Sequence, residues 1–141
     1  MFAVDHHERV TWVAGELSTQ TLATTRLAET WIHTSDVADA LGRMVEPTGH
    51  LRHVARLAWR TLPYAFARAG RPPPGPVAFQ MLGPAAERWE FQPDEPATTT
   101  ITGPGVELCL VATRRVAAAS TALAGTGPDA DAVLELVRTF A

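Results

Sequence analysis

Seven consecutive residues, Gly70-Arg71-Pro72-Pro73-Pro74-Gly75-Pro76, divide this chain into two unlike parts. Four of them are prolines, which lack a backbone N–H and hold φ near one value, so the run can enter neither a helix nor a central strand. It reads as a short, stiff connection. Upstream the apolar residues recur at helical spacing. Downstream they begin in the alternating and β-branched patterns of strands.

Upstream, residues 1–17 form a lead-in. Ser18 or Thr19 can cap a helix running to about Leu41, and Gly42 supplies its stop. Pro47 and Thr48 open a second helix over about 48–69, with Leu51, Val54, Ala58, Thr61, Leu62 and Ala65 as its inward stripe and a kink at Pro63. Downstream, 77–82 is a strand, Gly83-Pro84 turns the chain, and Arg88-Trp89-Glu90-Phe91 alternates as a second strand. The β-branched run 98–102 is a third. A helix over about 105–115 follows. A short strand within 120–125 and a last helix over 130–140, with Val133, Leu134, Val137 and Phe140 inward, complete the order. The class predicted is α+β, with long N-terminal helices followed by a small antiparallel sheet packed with helices. By length the chain is about one domain.

Composition excludes more than it selects. The chain has 141 residues, 46% apolar and 19% charged, enough for a real core. A net charge of -3 gives no global reason to expect nucleic acid or an anionic membrane as partner. All 12 basic residues are Arg, which reads as coding bias. No apolar run is long enough to span a bilayer. The first residues, among them Asp5, His6, His7 and Glu8, lack the basic and apolar regions of a signal peptide. The single Cys109 excludes an internal disulfide framework and suits a reducing, cytoplasmic compartment.

Within the helix over 18–41, Glu29 and His33 are four residues apart and therefore one turn apart on one face. Arg26 and Asp36 fall within about 60° of them at 100° per residue. Leu27, Trp31 and Ala38 occupy the opposite side, with Ala23, Ala28, Ile32 and Leu41 on the flanks. A carboxylate and an imidazole so spaced can share a divalent metal or a proton. Arg26–Glu29 and His33–Asp36 are equally two i,i+3 pairs on a solvated face, each contributing tenths of a kcal/mol. The apolar girdle favours a packed helix whose charged stripe faces a cleft, with Arg26 and Asp36 orienting the two ligands.

The run Arg26-Leu27, Glu29, Trp31, His33 and Asp36-Val37-Ala38-Asp39-Ala40-Leu41-Gly42, together with Arg9-Val10-Thr11-Trp12, resembles the mycothiol-dependent maleylpyruvate isomerase family of the DinB-like metal-binding superfamily. His53-Val54-Ala55, Ile101-Thr102-Gly103-Pro104 and Ala112-Thr113-Arg114-Arg115 resemble the same family's sterol-carrier-protein-like C-terminal domain. The resemblance implies two domains, with 1–44 the remnant of a four-helix bundle whose last helix is 18–41 and 45–141 the sterol-carrier-like unit. It implies Glu29 and His33 as metal ligands, zinc above all, and a low-molecular-weight thiol as co-substrate. The family places three helices and another metal-binding His before the region where this chain starts. The expectation is therefore a truncated member whose third ligand comes from elsewhere.

Other residues suit that role or substrate binding. His6 and His7 can substitute as ligands if the lead-in folds back. Arg52, Arg56 and Arg60 make a stripe beside His50 and His53 that suits an anion, with Arg56 the candidate for a substrate carboxylate. The resemblance adds Arg114 and Arg115 as carboxylate binders. Cys109 reads as buried and inert. The functional expectation is a thiol-dependent isomerase or transferase acting on a small unsaturated carbonyl or carboxylate metabolite, with Glu29, His33, Asp36 and Arg26 as its catalytic set. Two alternatives stand beside it. One is a non-catalytic small-molecule-binding or accessory module. The other is a biosynthetic enzyme using the same residues as acid and base without metal. The exposed girdle further predicts a dimer or other homo-oligomer, or a partner chain covering helix 18–41.

Overall fold

The computed structural model of the chain describes residues 8–12 and 15–139. These form two compact units, Met1–Val45 and Glu46–Ala141.

The first unit begins with an antiparallel hairpin, β1 (Arg9–Trp12) and β2 (Gly15–Ser18), paired from Arg9↔Ser18 to Trp12↔Gly15. The sequence marks this segment only as a short lead-in, with no element assigned. Arg9 ties the hairpin by donating to the Glu16 carboxylate at 3.1 Å and to the Glu16 carbonyl at 3.0 Å. Ser18 then ends β2 and caps helix α1 (Thr19–Ala40), its hydroxyl accepting from the Thr21 N–H at 3.2 Å. The Thr19 N–H, otherwise an orphan of the first turn, donates to Glu8 at 2.9 Å. Gly42 closes α1 at φ +66°. The Arg43 N–H reaches the Ala38 carbonyl at 2.8 Å and the Gly42 N–H reaches Asp39 at 3.0 Å. That is a Schellman stop with glycine in its left-handed position.

In the second unit the single kinked helix expected over 48–69 is two helices, α2 (Leu51–Arg60) and α3 (Leu62–Arg68). Pro63 stands in the first turn of α3, where its missing N–H costs nothing, and Thr61 is the junction. The inward stripe of Leu51, Val54, Ala58, Thr61, Leu62 and Ala65 is buried along its whole length.

The sheet contains β3 (Val77–Leu82), β4 (Arg88–Phe91), β5 (Thr99–Pro104) and β6 (Ala124–Thr126), in the order β4-β3-β5-β6. It is mixed, which corrects the antiparallel expectation: β3 pairs antiparallel with β4 but parallel with β5, and β5 pairs antiparallel with β6. The cause is the connection 92–98. It leaves β4 beside the start of β3, crosses that end, and enters β5 on the far side of β3, so β5 runs in the direction of β3. Two bonds to the Pro76 carbonyl anchor the crossing, from Thr98 N–H at 2.9 Å and Thr99 N–H at 3.3 Å.

Register sorts the two faces. Phe91, Phe79 and Ile101 lie side by side on the buried face, while Glu90, Gln80 and Thr102 form the exposed row behind them. Helices α2, α4 (Gly105–Ala112) and α5 (Ala130–Leu136) complete the core with Val54, Leu108, Val111 and Val133. Trp89 is 1% exposed because residue 105 is glycine; a Cβ there would collide with the indole ring. Each large side chain so enclosed contributes about 1.5–3 kcal/mol. Among the described residues no helix is long and apolar enough to cross a membrane.

Candidate functional site

α1 brings Glu29 and His33 together as its periodicity requires. Glu29 Oε2 and His33 Nε2 are 3.2 Å apart, with the His33 side chain 71% exposed and that of Glu29 35%. Two donors about 2.0–2.1 Å from a tetrahedral zinc stand about 3.4 Å from one another, so the same separation suits either a shared proton or a shared ion. Arg26 and Asp36 are exposed on the helix, and Arg26 makes no ion pair among the described residues. The apolar girdle is only partly covered. Ala28 and Ile32 are buried, while Val37 is 61% and Leu41 69% exposed.

No third His, Cys, Asp or Glu joins the pair in a metal-sized cluster among the described residues. His6 and His7 lie outside the described residues. His50 and His53 are exposed at the start of α2.

The arginine stripe of α2 faces outward. Arg52 lies over the Phe91 ring at 5.3 Å, and Arg56 and Arg60 are exposed. Cys109 is enclosed in α4, its thiol donating to the Leu51 carbonyl at 3.4 Å, and burial drives its pKa far above the ordinary thiol value. It is not a nucleophile in the folded chain.

Arg114 and Arg115 occupy the end of α4, as the sequence suggested, but in unlike ways. Arg114 has φ +63°. Its N–H reaches Val111 at 3.0 Å and that of Arg115 reaches Leu110 at 2.9 Å, which is the Schellman arrangement again. The Arg114 guanidinium donates to the Glu135 carbonyl at 3.2 Å, and that of Arg115 turns back to the Thr113 carbonyl at 2.7 Å. Arg114 also lines a cavity of about 560 Å³, together with the apolar Val111, Val116, Leu123 and Leu134 and the acidic Asp131 and Glu135. Its size falls within the range of small-molecule sites.

Sequence reading missed the neighbours of Arg114. The Arg138 carbonyl accepts from the Thr61 hydroxyl at 2.6 Å, and the next N–H, of Thr139, donates to Ala112 at 3.0 Å. The segment after α5 is thereby fixed between the start of α3 and the end of α4. Arg68, on the last turn of α3, donates to the Tyr64 hydroxyl at 3.4 Å. Burial and then the like charges of Arg68 and Arg114 lower the pKa of Arg138 from its ordinary value. Arg68 and Arg138 stand 70 positions apart, so no local pattern links them. An arginine at a helix end is otherwise explained by the helix dipole.

No protein-family model matches the chain. It is similar to two uncharacterized proteins of Mycobacterium tuberculosis, one from strain CDC 1551 / Oshkosh and one from strain H37Rv. Each is 34% identical over 142 residues, an alignment that takes in 100% of this chain and 55% of the relative. The chain thus spans about half the length of the curated relatives it matches.

Proposed function

We propose that this chain is part of a cytoplasmic thiol-dependent isomerase or transferase of the maleylpyruvate isomerase type, in which α1 contributes two ligands to a divalent metal site, zinc above all. The observation that carries the reading is the Glu29–His33 pair, with oxygen and nitrogen 3.2 Å apart on one helix face. A bound metal supplies Lewis acidity toward a thiol or a carbonyl oxygen. The chain's own residues supply the rest. Glu29 and His33 hold the ion, while Arg26 and Asp36 on the same stripe set their orientation. The third ligand comes from His6 or His7 or from a second chain, which α1 is suited to meet through Val37 and Leu41, both more than half exposed. In this reading the substrate is a small unsaturated carbonyl or carboxylate metabolite, and residues 45–141 are a sterol-carrier-like unit.

Zinc titration by calorimetry tests the proposal. The expected result is a stoichiometric site in the native protein that disappears in Glu29→Ala and in His33→Ala. A protein that takes up no zinc, or takes it up equally in both variants, overturns it.

The cavity beside Arg114 favours a second reading, a small-molecule-binding module without catalysis. It predicts ligand binding that is indifferent to Glu29→Ala and to chelators.

A further inference from the structure

The indole of Trp59 is held at two points. Its ring nitrogen donates to the Val77 carbonyl at 2.8 Å, and its ring stacks on Phe91 with centroids 6.0 Å apart and planes 25° from parallel. Trp59 is nevertheless only half-buried, and it lines a cavity of about 360 Å³ in the second unit. Arg60 joins it from the end of α2 and Pro63 from the first turn of α3. Pro74 and Pro76 come from the connection before β3, and Pro93 from the crossing before β5. The volume stands at the lower end of the range of small-molecule sites, which suits a body of one or two rings.

This wall is stiff and poor in donors. Proline carries no N–H, and its ring fixes φ. The Gly75 N–H, also on the wall, is spent on the Asp129 carboxylate at 3.0 Å. The Pro76 carbonyl accepts the N–H groups of Thr98 and Thr99 at 2.9 and 3.3 Å and the Thr98 hydroxyl at 3.3 Å, and the Val77 carbonyl is taken by Trp59. Among the lining side chains one polar group then remains, the Arg60 guanidinium. Arg60 is exposed and joins no ion pair among the described residues. An aromatic surface beside saturated rings favours a flat apolar body. A lone guanidinium favours a single carboxylate, which it meets with two parallel hydrogen bonds. A second anionic group would find no side-chain donor there.

We propose that this cavity binds a small aromatic monocarboxylate, its ring between Trp59 and the prolines and its carboxylate on Arg60. The proposal stands apart from both readings above, since Glu29, His33 and Arg114 do not line the cavity. With the indole anchored and the proline backbone pre-set, little of the wall has to be ordered on binding. A neutral analogue keeps the stacking and loses the bonds to Arg60.

The test is calorimetric titration of the full chain with 2-naphthoate and, separately, with the neutral 2-naphthamide, in the presence of a chelator and at constant ionic strength. Naphthoate should saturate one site in the submillimolar range and bind about tenfold more tightly than the amide, or better. Arg60→Gln, a change at an exposed position, should bring the two ligands to nearly equal affinity while leaving that of the amide as it was. Arg56→Gln, one turn earlier on α2 and outside the cavity, should change neither. Trp59→Leu should weaken both ligands by a similar factor. If that variant does not fold, a naphthoate-dependent shift of the Trp59 indole N–H resonance in the native chain reads the same contact. Absence of saturation by millimolar naphthoate, a preference for naphthoate that survives Arg60→Gln, or an equal loss in Arg56→Gln overturns the proposal.

Discussion

The Thr61 hydroxyl and the Arg138 carbonyl meet at 2.6 Å across 77 residues of sequence. The same hydroxyl lies 2.9 Å from the Leu57 carbonyl and 3.2 Å from Ala58, but one O–H has one proton, and the shortest contact takes most of it. This bond secures the last described stretch of chain to the helix junction. Thr61→Val keeps the shape and removes the donor, leaving a part-buried carbonyl unsatisfied. A loss of about 1–3 kcal/mol is expected in chemical denaturation, with Thr61→Ser much milder.

Gly105 and Trp89 make a second dependence. With no room for a Cβ beneath the indole, Gly105→Ala must displace the ring or the first turn of α4. Overpacking of this kind costs about 1–3 kcal/mol. Trp89 fluorescence should shift to longer wavelength in the folded variant, and an unchanged spectrum with unchanged stability would contradict the packing described.

Cys109 gives the chain a pH signature. Its folded-state pKa lies above that of the unfolded thiol, so the folded state resists losing the proton. The stabilisation is therefore fully present below the unfolded value of about 8.5 and is lost as pH rises past it, by about 1.4 kcal/mol per pH unit for one proton. Stability measured from pH 8 to 10 should fall more steeply in the native chain than in Cys109→Ala. A thiol reagent should label the protein only after denaturant is added.

The Glu29–His33 pair is predicted to matter little for folding. An exposed i,i+4 pair contributes about 0.3–0.5 kcal/mol, so Glu29→Gln and His33→Ala should shift the denaturation midpoint barely at all. A large destabilisation in either would assign the pair a structural role and weaken the case for ligation.

Much of the fold was legible wherever one residue type settles a local conformation. Pro63 divides the helices, Gly42 ends α1, and the β-branched residues from Thr98 to Thr102 foretell β5. Partnership was not legible. Alternation identifies β3 and β5 as strands, yet their parallel pairing follows from a crossing at 92–98 that no local pattern records. The hairpin at 9–18 escaped because strands of four residues are too short to establish a period. Of the candidate site, the helical spacing of Glu29 and His33 was sufficient to bring them together. The cavity beside Arg114 was not legible, because its walls come from α4, from 116–123 and from α5, and nothing at position 114 announces a left-handed backbone.

The strand order β4-β3-β5-β6 leaves β4 and β6 at the rims, four and three residues long. So short a rim offers an incoming strand few backbone groups to pair with, and Arg88 and Glu90 set charge along one of them. The longer and more apolar strand, β3, is flanked on both sides. The segment best suited to seed fibrils is thus the one that stays sequestered until the whole sheet opens, which should leave slow association of the native protein to other surfaces.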